Sequence, residues 1–341
     1  MTEIEKTKSE LYERLHGIAE GADVGIAYHP DADWWGSHPF NELKGVEAIS
    51  DAWSRLRTAM PDLERRDSIF IAGYSASDAR PERDPSGDLI VASMGHLQGT
   101  FQRDLHGIPA TSGVVHLRCC EAHRVVHGKI ARSHVLIDFL DLMRQAGVWP
   151  IARSLGSECM WPGPRGSGGV RPEIARADTG RQSVATVLAM HSALGKFDGR
   201  SLESMPHGAY WTDRFLWYGP AGIGTTRGLD GFRAHHQVPF LTGFPDRRGS
   251  GHYMRVGDGD FAATGGWPSV VATHKGEWLG LPPTGRRVGM RVMDFYRLDG
   301  GLIAENWVPI DIIHLLLQMG VDVFARMRHL AGYPDAGLLR R

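Results

Sequence analysis

The chain has 341 residues, 42% of them hydrophobic and 23% charged, and a formal net charge of −1. That length suits two globular domains, and the near-zero charge excludes the electrostatic pull that binding to nucleic acid or an anionic membrane requires. There is no apolar run near the ~20 residues of a membrane span and no basic-then-apolar leader, so a cytoplasmic protein is expected.

In chain order, residues 1–27 read as a charged helix followed by a Gly/Ala-rich segment. Tyr28-His29-Pro30-Asp31-Ala32-Asp33-Trp34-Trp35-Gly36 comes next. Lys44-Gly45-Val46-Glu47-Ala48-Ile49 then opens a helix whose apolar residues Ile49, Trp53, Leu56 and Met60 recur three and four apart, until Pro61-Asp62 ends it. The polar stretch 75–88 predicts an extended loop between two strands. Residues 154–181 begin with a Gly/Pro/Ser-rich stretch and read as a linker between domains at 1–153 and 182–341. A helix is expected near Ser183 to Lys196.

Many of these landmarks recur. Trp217-Tyr218-Gly219 repeats Trp34-Trp35-Gly36, 183 positions on, while Gly228 repeats Gly45 and Pro245-Asp246 repeats Pro61-Asp62. At an offset of 173, Arg291, Arg297, Gly301, Asp311, Gln318 and Gly320 repeat Arg118, Arg124, Gly128, Asp138, Gln145 and Gly147. A fixed register over so many positions points to tandem duplication. The change of offset places an insertion in the first copy, most simply at 75–88.

The stretch from Thr273 to Val321 is the most informative. GLPPTG (280–285) is turn chemistry, and the alternating run from Val288 to Leu298 predicts a half-buried strand. Asp299-Gly300-Gly301 is a hairpin signal, Leu302 to Val308 is the returning strand, and Pro309 closes it. Asp311 stands at the N-cap or first turn of the helix IIHLLLQMG, which Gly320 stops. THKGEWLGLPPTGRRV, the DGG turn before Glu305-Asn306-Trp307, and Asp311 with Gln318 and Gly320 resemble the second half of a SnoaL-like polyketide cyclase, in the nuclear-transport-factor-two-like superfamily. The order of His29-Pro30-Asp31, Gly45, a helix and Pro61-Asp62 is similar to that family's first half. The resemblance implies an α+β fold of two tandem cone-shaped domains. Each would be a strongly curved antiparallel sheet with N-terminal helices and a pocket inside, the two packed through their sheets as a pseudo-dimer.

Such a fold hosts several chemistries, so function must come from the site. Cyclase-type chemistry without a cofactor needs a carboxylate or histidine in an apolar pocket, and a donor for the developing oxyanion. Asp294 interrupts an apolar run, where an unpartnered acid is costly. Strand alternation puts Val292 and Tyr296 on its side and Met293 and Phe295 on the other. The resemblance matches Asp294 to a pocket histidine, and places the catalytic acid of characterised cyclases on Val308, with Asn306 two residues earlier on the same face. A valine moves no proton, so Asn306 can serve only as a donor. A structural reading of Asp294 pairs it with Arg291 or Arg297. Asp311 is either the nearest further carboxylate or a helix cap. His274 stands at a recurring family position and is either a site residue or a hydrogen-bonded structural histidine. Trp217, Tyr218, Trp267, Trp307 and Tyr296 are candidate walls for a flat or hydrophobic ligand, or simply core.

The first copy carries Glu121 for Asp294, Asp138 for Asp311 and His134 for Trp307, with His123 nearby. It reads either as a structural partner or as a second site. Cys119 and Cys120 are adjacent and Cys159 stands apart, which gives neither a disulfide framework nor metal-ligand spacing. No GxGxxG lies between strand and helix, so no nucleotide, flavin, nicotinamide or metal cofactor is expected. The reading is a cofactor-independent acid–base enzyme of cyclase, isomerase or lyase type. Its substrate would be a hydrophobic, carbonyl-containing small molecule, and the protein a monomeric pseudo-dimer or a homodimer. Two alternatives stay open: a hydrolase of the same fold that activates water, as in epoxide opening, and a non-catalytic ligand-binding or assembly module.

Overall fold

The computed structural model describes residues 1–78, 80, 83–166 and 168–332. The domain expected at 182–341 therefore ends beyond the described residues. Helix α1 (Glu3–Glu20) begins with a capping box, Thr2 and Glu5 each bonding the other's backbone. It buries Leu11, Leu15 and Ile18. Strands β1 (Tyr28–Gly36) and β2 (Glu42–Lys44) lead into α2 (Gly45–Ala59), which buries the expected Ile49, Trp53 and Leu56. Strands β3 (Glu64–Tyr74), β4 (Leu89–Thr100), β5 (Val114–Val126) and β6 (Lys129–Ile137) then form a meander, closed by α3 (Phe139–Gln145).

The second half repeats this order. It runs through α4 (Ala177–Leu194), β7 (Trp211–Tyr218), β8 (Thr225–Arg227), α5 (Gly228–Phe232) and α6 (Val238–Gly243). Strands β9 (Arg248–Gly249), β10 (Met254–Asp258), β11 (Phe261–Thr273), β12 (Arg287–Asp299) and β13 (Leu302–Trp307) follow, then α7 (Ile312–Gln318) and α8 (Val323–Leu330). Helix α4 starts at Ala177, earlier than expected, so the last residues assigned to the linker are helical.

The sheet orders are β2-β1-β6-β5-β4-β3 and β10-β11-β12-β13-β7-β8, the same path in each half. Both sheets are mixed, which corrects the expectation of antiparallel ones: β1 runs parallel to β6, and β7 parallel to β13. The helical crossover after the first strand lets it lie beside the last strand of the meander in the same direction. Gly300 and Gly301 turn β12 into β13 with φ of 57° and 82°, a left-handed pair that side-chain-bearing residues rarely adopt.

One face of each sheet packs under its own helices, and the other faces meet. Ile69, Met94, Cys120 and Leu136 of the first half share a core with Met254, Met293, Phe295 and Trp307 of the second. Described residues of the intervening stretch are built into this contact. Trp161 is buried and donates to the Gly219 carbonyl, Trp307 donates to the Pro162 carbonyl, and Phe70 bonds Gly169.

The contacts at the rim are reciprocal. Asp138 caps α3 through the Asp141 amide, pairs with Arg118 at 3.0 Å, and accepts from the Ala221 amide of the other half at 2.9 Å. Asp311 caps α7 through the His314 amide, pairs with Arg291 at 3.2 Å, and accepts from the His38 amide at 2.9 Å. Asp311→Ala removes a cap and leaves a largely buried Arg291 without its carboxylate. A loss of about 3 kcal/mol is expected, read as a lower denaturant midpoint in chemical unfolding. Among the described residues no helix is long and apolar enough to cross a membrane.

Candidate active site

Alternation along β12 sends Val292 and Tyr296 to the core beneath the helices, and Met293 and Phe295 to the core between the sheets. Asp294 therefore faces the interior of the second half. Thr264 of β11 stands opposite it, and Asn306 of β13 stands opposite Tyr296. Tyr296 and Asn306 lie beside the Asp294 carboxyl and favour its charged form. Asn306 also donates to the Phe295 carbonyl at 3.1 Å, which fixes its amide.

Helix α4 lies over this face. Its Gly180 meets Gly257 of β10 so closely that a Cβ there would stand 2.3 Å from the Gly257 carbonyl oxygen. Ser183 donates to the Gly259 carbonyl at 2.8 Å. Seated this way, α4 brings His191 Nε2 to 2.9 Å from the Tyr296 hydroxyl. The ring of His252 lies 5.5 Å from that of His191.

Beyond His252 the first half contributes. Asp78, in the loop between β3 and β4, accepts from the His252 amide at 2.8 Å and pairs with Arg80 and Arg255. The connection between these two strands falls where expected, and its Asp78 packs on the edge of the opposite domain.

The electrostatics separate the two copies. Burial raises the Asp294 carboxyl to about 7, more than the neighbouring Tyr296 and Asn306 lower it. Neither candidate arginine pairs with it, since Arg291 holds Asp311 and Arg297 holds Glu305. Burial also pushes the Tyr296 hydroxyl up, with the Asp294 charge adding to it. The same effect lowers His191 to about 3, and His252, Arg255 and Arg80 push it further that way.

Glu121, the first-half counterpart, is fully buried on β5. Burial would raise it, but the guanidinium of Arg65 and then His123 outweigh that and hold it at about 2. Arg65 pairs directly with Glu121, bonds Asp67 at 2.9 Å, and donates to Ser93 at 2.6 Å. His123 bonds Ser133 at 2.7 Å. Arg65, Asp67 and Glu121 thus form a buried ionic cluster in this half.

The remaining sequence candidates are not brought to Asp294. His274 follows the end of β11 and bonds Thr284 at 3.1 Å, packed near Phe244. From the register of Thr264 with Asp294, it lies roughly 25 Å of strand away. Asp311 caps its helix. Trp217 does face the interior and stacks on His236 at 4.1 Å. Tyr218 and Trp307 stack on each other within the inter-sheet core, and Trp267 lies there against Arg291. In the first half, His134 stacks on Tyr253 of the second at 3.4 Å, and Asp138 is a cap. Val308 is buried on the interior side and contributes no acid. Among the described residues no three His, Cys, Asp or Glu side chains are placed to share a metal.

Sequence reasoning missed His191, Thr264 and Arg65. A signal existed for His191 alone: it follows the buried Val184 and Val187 of α4 at helical spacing, a polar residue in line with an apolar stripe.

Several solved structures align with part of this chain. AclR from Streptomyces galilaeus is 24% identical over 41% of this chain and 82% of its own, with a TM-score of 0.34. IdmH from Streptomyces antibioticus is 26% identical over 41% and 99%, with a TM-score of 0.33. An NTF2-like protein from Burkholderia thailandensis is 18% identical over 40% and 96%, with a TM-score of 0.33. No curated protein matches. Residues 197–319 match the family described as SnoaL-like polyketide cyclase, so the second half of this chain carries a SnoaL-like fold.

Proposed function

We propose that the second half is a cofactor-independent acid–base enzyme of the cyclase, isomerase or lyase type, acting on a hydrophobic carbonyl-containing small molecule. Asp294 is the base that receives the substrate proton, and Tyr296 and Asn306 are the donors that steady the resulting enolate. One observation carries this reading: a carboxyl on an apolar interior face, beside the neutral Tyr296 and Asn306, paired with no cation among the described residues, and raised to about 7. A base with that value is half ionised at neutral pH, where proton transfer is most effective. Trp217, stacked on His236, supplies an apolar wall for a flat substrate. The water-activating alternative requires a second acid or an arginine on Asp294, and none pairs with it among the described residues.

The first half is proposed to be a duplicated copy retained as a structural partner, its acid neutralised by Arg65. The reciprocal Asp138 and Asp311 contacts support a pseudo-dimer within one chain, since each half presents the same patch to the other.

The test is deuterium exchange from heavy water into a panel of flat, enolisable ketones, followed by NMR. Exchange should rise with pH through about 7, as Asp294 ionises, and then level off. Exchange equal to that of the Asp294→Asn variant at every pH would remove the assignment and favour the binding-module reading.

A further inference from the structure

A cleft lies where the two halves and the stretch between them meet, and none of the side chains assigned to the Asp294 site lines it. Lys8 of α1 comes from the first half, and Arg171 and Arg176 from the intervening stretch. Asp258 and Asp260 come from the end of β10 and the turn after it. About 70 Å³ of the cleft is open to water-sized groups, room for several at ~10–15 Å³ each.

Lys8 is only 2% exposed, so its charge must be partnered. The ammonium donates to Asp258 at 2.6 Å and to the Ile174 carbonyl at 2.8 Å, which ties α1 to the second half. An ammonium has three N–H donors, and the third makes no hydrogen bond among the described residues. Asp258 also accepts from the Arg176 amide at 2.8 Å, so this carboxylate is already occupied.

The two arginines are in the opposite condition. Arg171 is half-buried and Arg176 exposed, and neither guanidinium has an ion pair or hydrogen bond among the described residues. Each runs beside a glycine. At Gly168 (φ 128°) an added Cβ would stand 3.0 Å from Arg171 Nη2, and at Gly259 (φ 59°) one would stand 3.5 Å from Arg176 Cδ. Positive φ favours glycine at both positions, and the missing side chains leave the guanidinium groups their room. Asp260 is exposed and makes no ion pair among the described residues. Three cations against two carboxylates leave an excess of one positive charge in the lining. An anion entering here meets two unpaired guanidinium forks and the spare N–H of a buried ammonium. Hydrogen bonds from such donors to an ionised oxygen are about twice as strong as neutral ones.

We propose that this cleft binds a small organic monocarboxylate, its oxygens held by Arg171 and Arg176 and its apolar part set against Phe70 and Phe261. A carboxylate matches both the single excess charge and the planar fork of a guanidinium. A phosphate dianion brings a second negative charge toward Asp258 and Asp260. Because the lining draws on both halves, an occupant binds only the assembled chain and stabilises it. The site is independent of the reading of Asp294.

The test is calorimetric titration of the full-length protein with benzoate at fixed ionic strength. Benzamide serves as the uncharged isostere and inorganic phosphate as the competing anion. Benzoate is expected to bind saturably and to raise the thermal unfolding midpoint with its concentration. Benzamide should bind at least about tenfold more weakly, and so should benzoate to Arg171→Gln with Arg176→Gln. The ligand-free unfolding midpoint of that double variant should stay at the wild-type value, since neither side chain is paired. If it does not fold, Arg171→Gln alone should show the loss of affinity. Asp294→Asn should bind benzoate as the wild type does. Affinity unaltered by the arginine changes, or lost in Asp294→Asn instead, overturns the site. Phosphate binding more tightly than benzoate overturns the carboxylate class.

Discussion

Asp294→Asn is expected to abolish exchange activity and, above pH 7, to make the protein more stable than the wild type by about 2–4 kcal/mol. An unfolded aspartate ionises near 3.9, at roughly that pH, whereas the folded carboxyl is raised to about 7. The folded state therefore holds this proton more tightly than the unfolded chain does. Stability drawn from it is fully present below about pH 4 and is lost as the pH climbs through about 7. The amide never ionises, so the variant escapes that loss. Its advantage should be absent in acid, grow between those limits, and stay constant beyond them. The upper figure assumes full burial, and the carboxyl keeps some access to solvent. Urea midpoints for both proteins across that pH range check the claim. A variant less stable than the wild type at pH 8 would mean that the carboxylate serves the fold.

The counterpart in the first half should behave in the opposite way. Glu121→Gln is expected to cost about 3 kcal/mol at neutral pH, because it strands a buried guanidinium. That is the low end for a buried pair, since Arg65 keeps its bonds to Asp67 and Ser93. Here the folded carboxyl is lowered to about 2. The pair's contribution is present above the ~4.3 of an unfolded glutamate and fades as the pH falls toward the folded value. The deficit of the variant should shrink accordingly in acid. Replacing both partners, as Arg65→Met with Glu121→Leu, should recover most of the loss, because neither charge is then left alone. Exchange activity should survive in any of these variants that folds. Unchanged stability in Glu121→Gln would point to a second working pocket.

The two acids occupy equivalent strand positions, and, two residues on, His123 stands beside Glu121 where Tyr296 stands beside Asp294. The larger difference comes from Arg65, which approaches from a strand two places away in the sheet. Sequence could place Asp294 on one face with Val292 and Tyr296, because alternation has a period of two and the apolar run was long enough to show it. It could also say that Trp217 and Tyr218 point apart. It could not say which of the two faces the interior, because both sides of the sheet are buried and both read as apolar. For that reason Trp307, Tyr218 and Trp267 were offered as pocket walls and lie between the sheets instead.

The sequence by itself determined the α+β class, the repeated order of elements, the turn at Gly300-Gly301 and the place of Asp311 at the start of its helix. Those features rest on short-range patterns: residue spacing, turn chemistry and a carboxylate three residues before an amide. Only the tertiary structure decided that the sheets are mixed, that Arg291 and Arg297 are committed elsewhere, and that α4 sets His191 on Tyr296. Each of these joins groups far apart in the chain, where the partner is chosen by sheet register and by which faces are forced together. Charge at a buried carboxyl depends on that choice of partner, so the same kind of residue is held near 2 in one half and near 7 in the other.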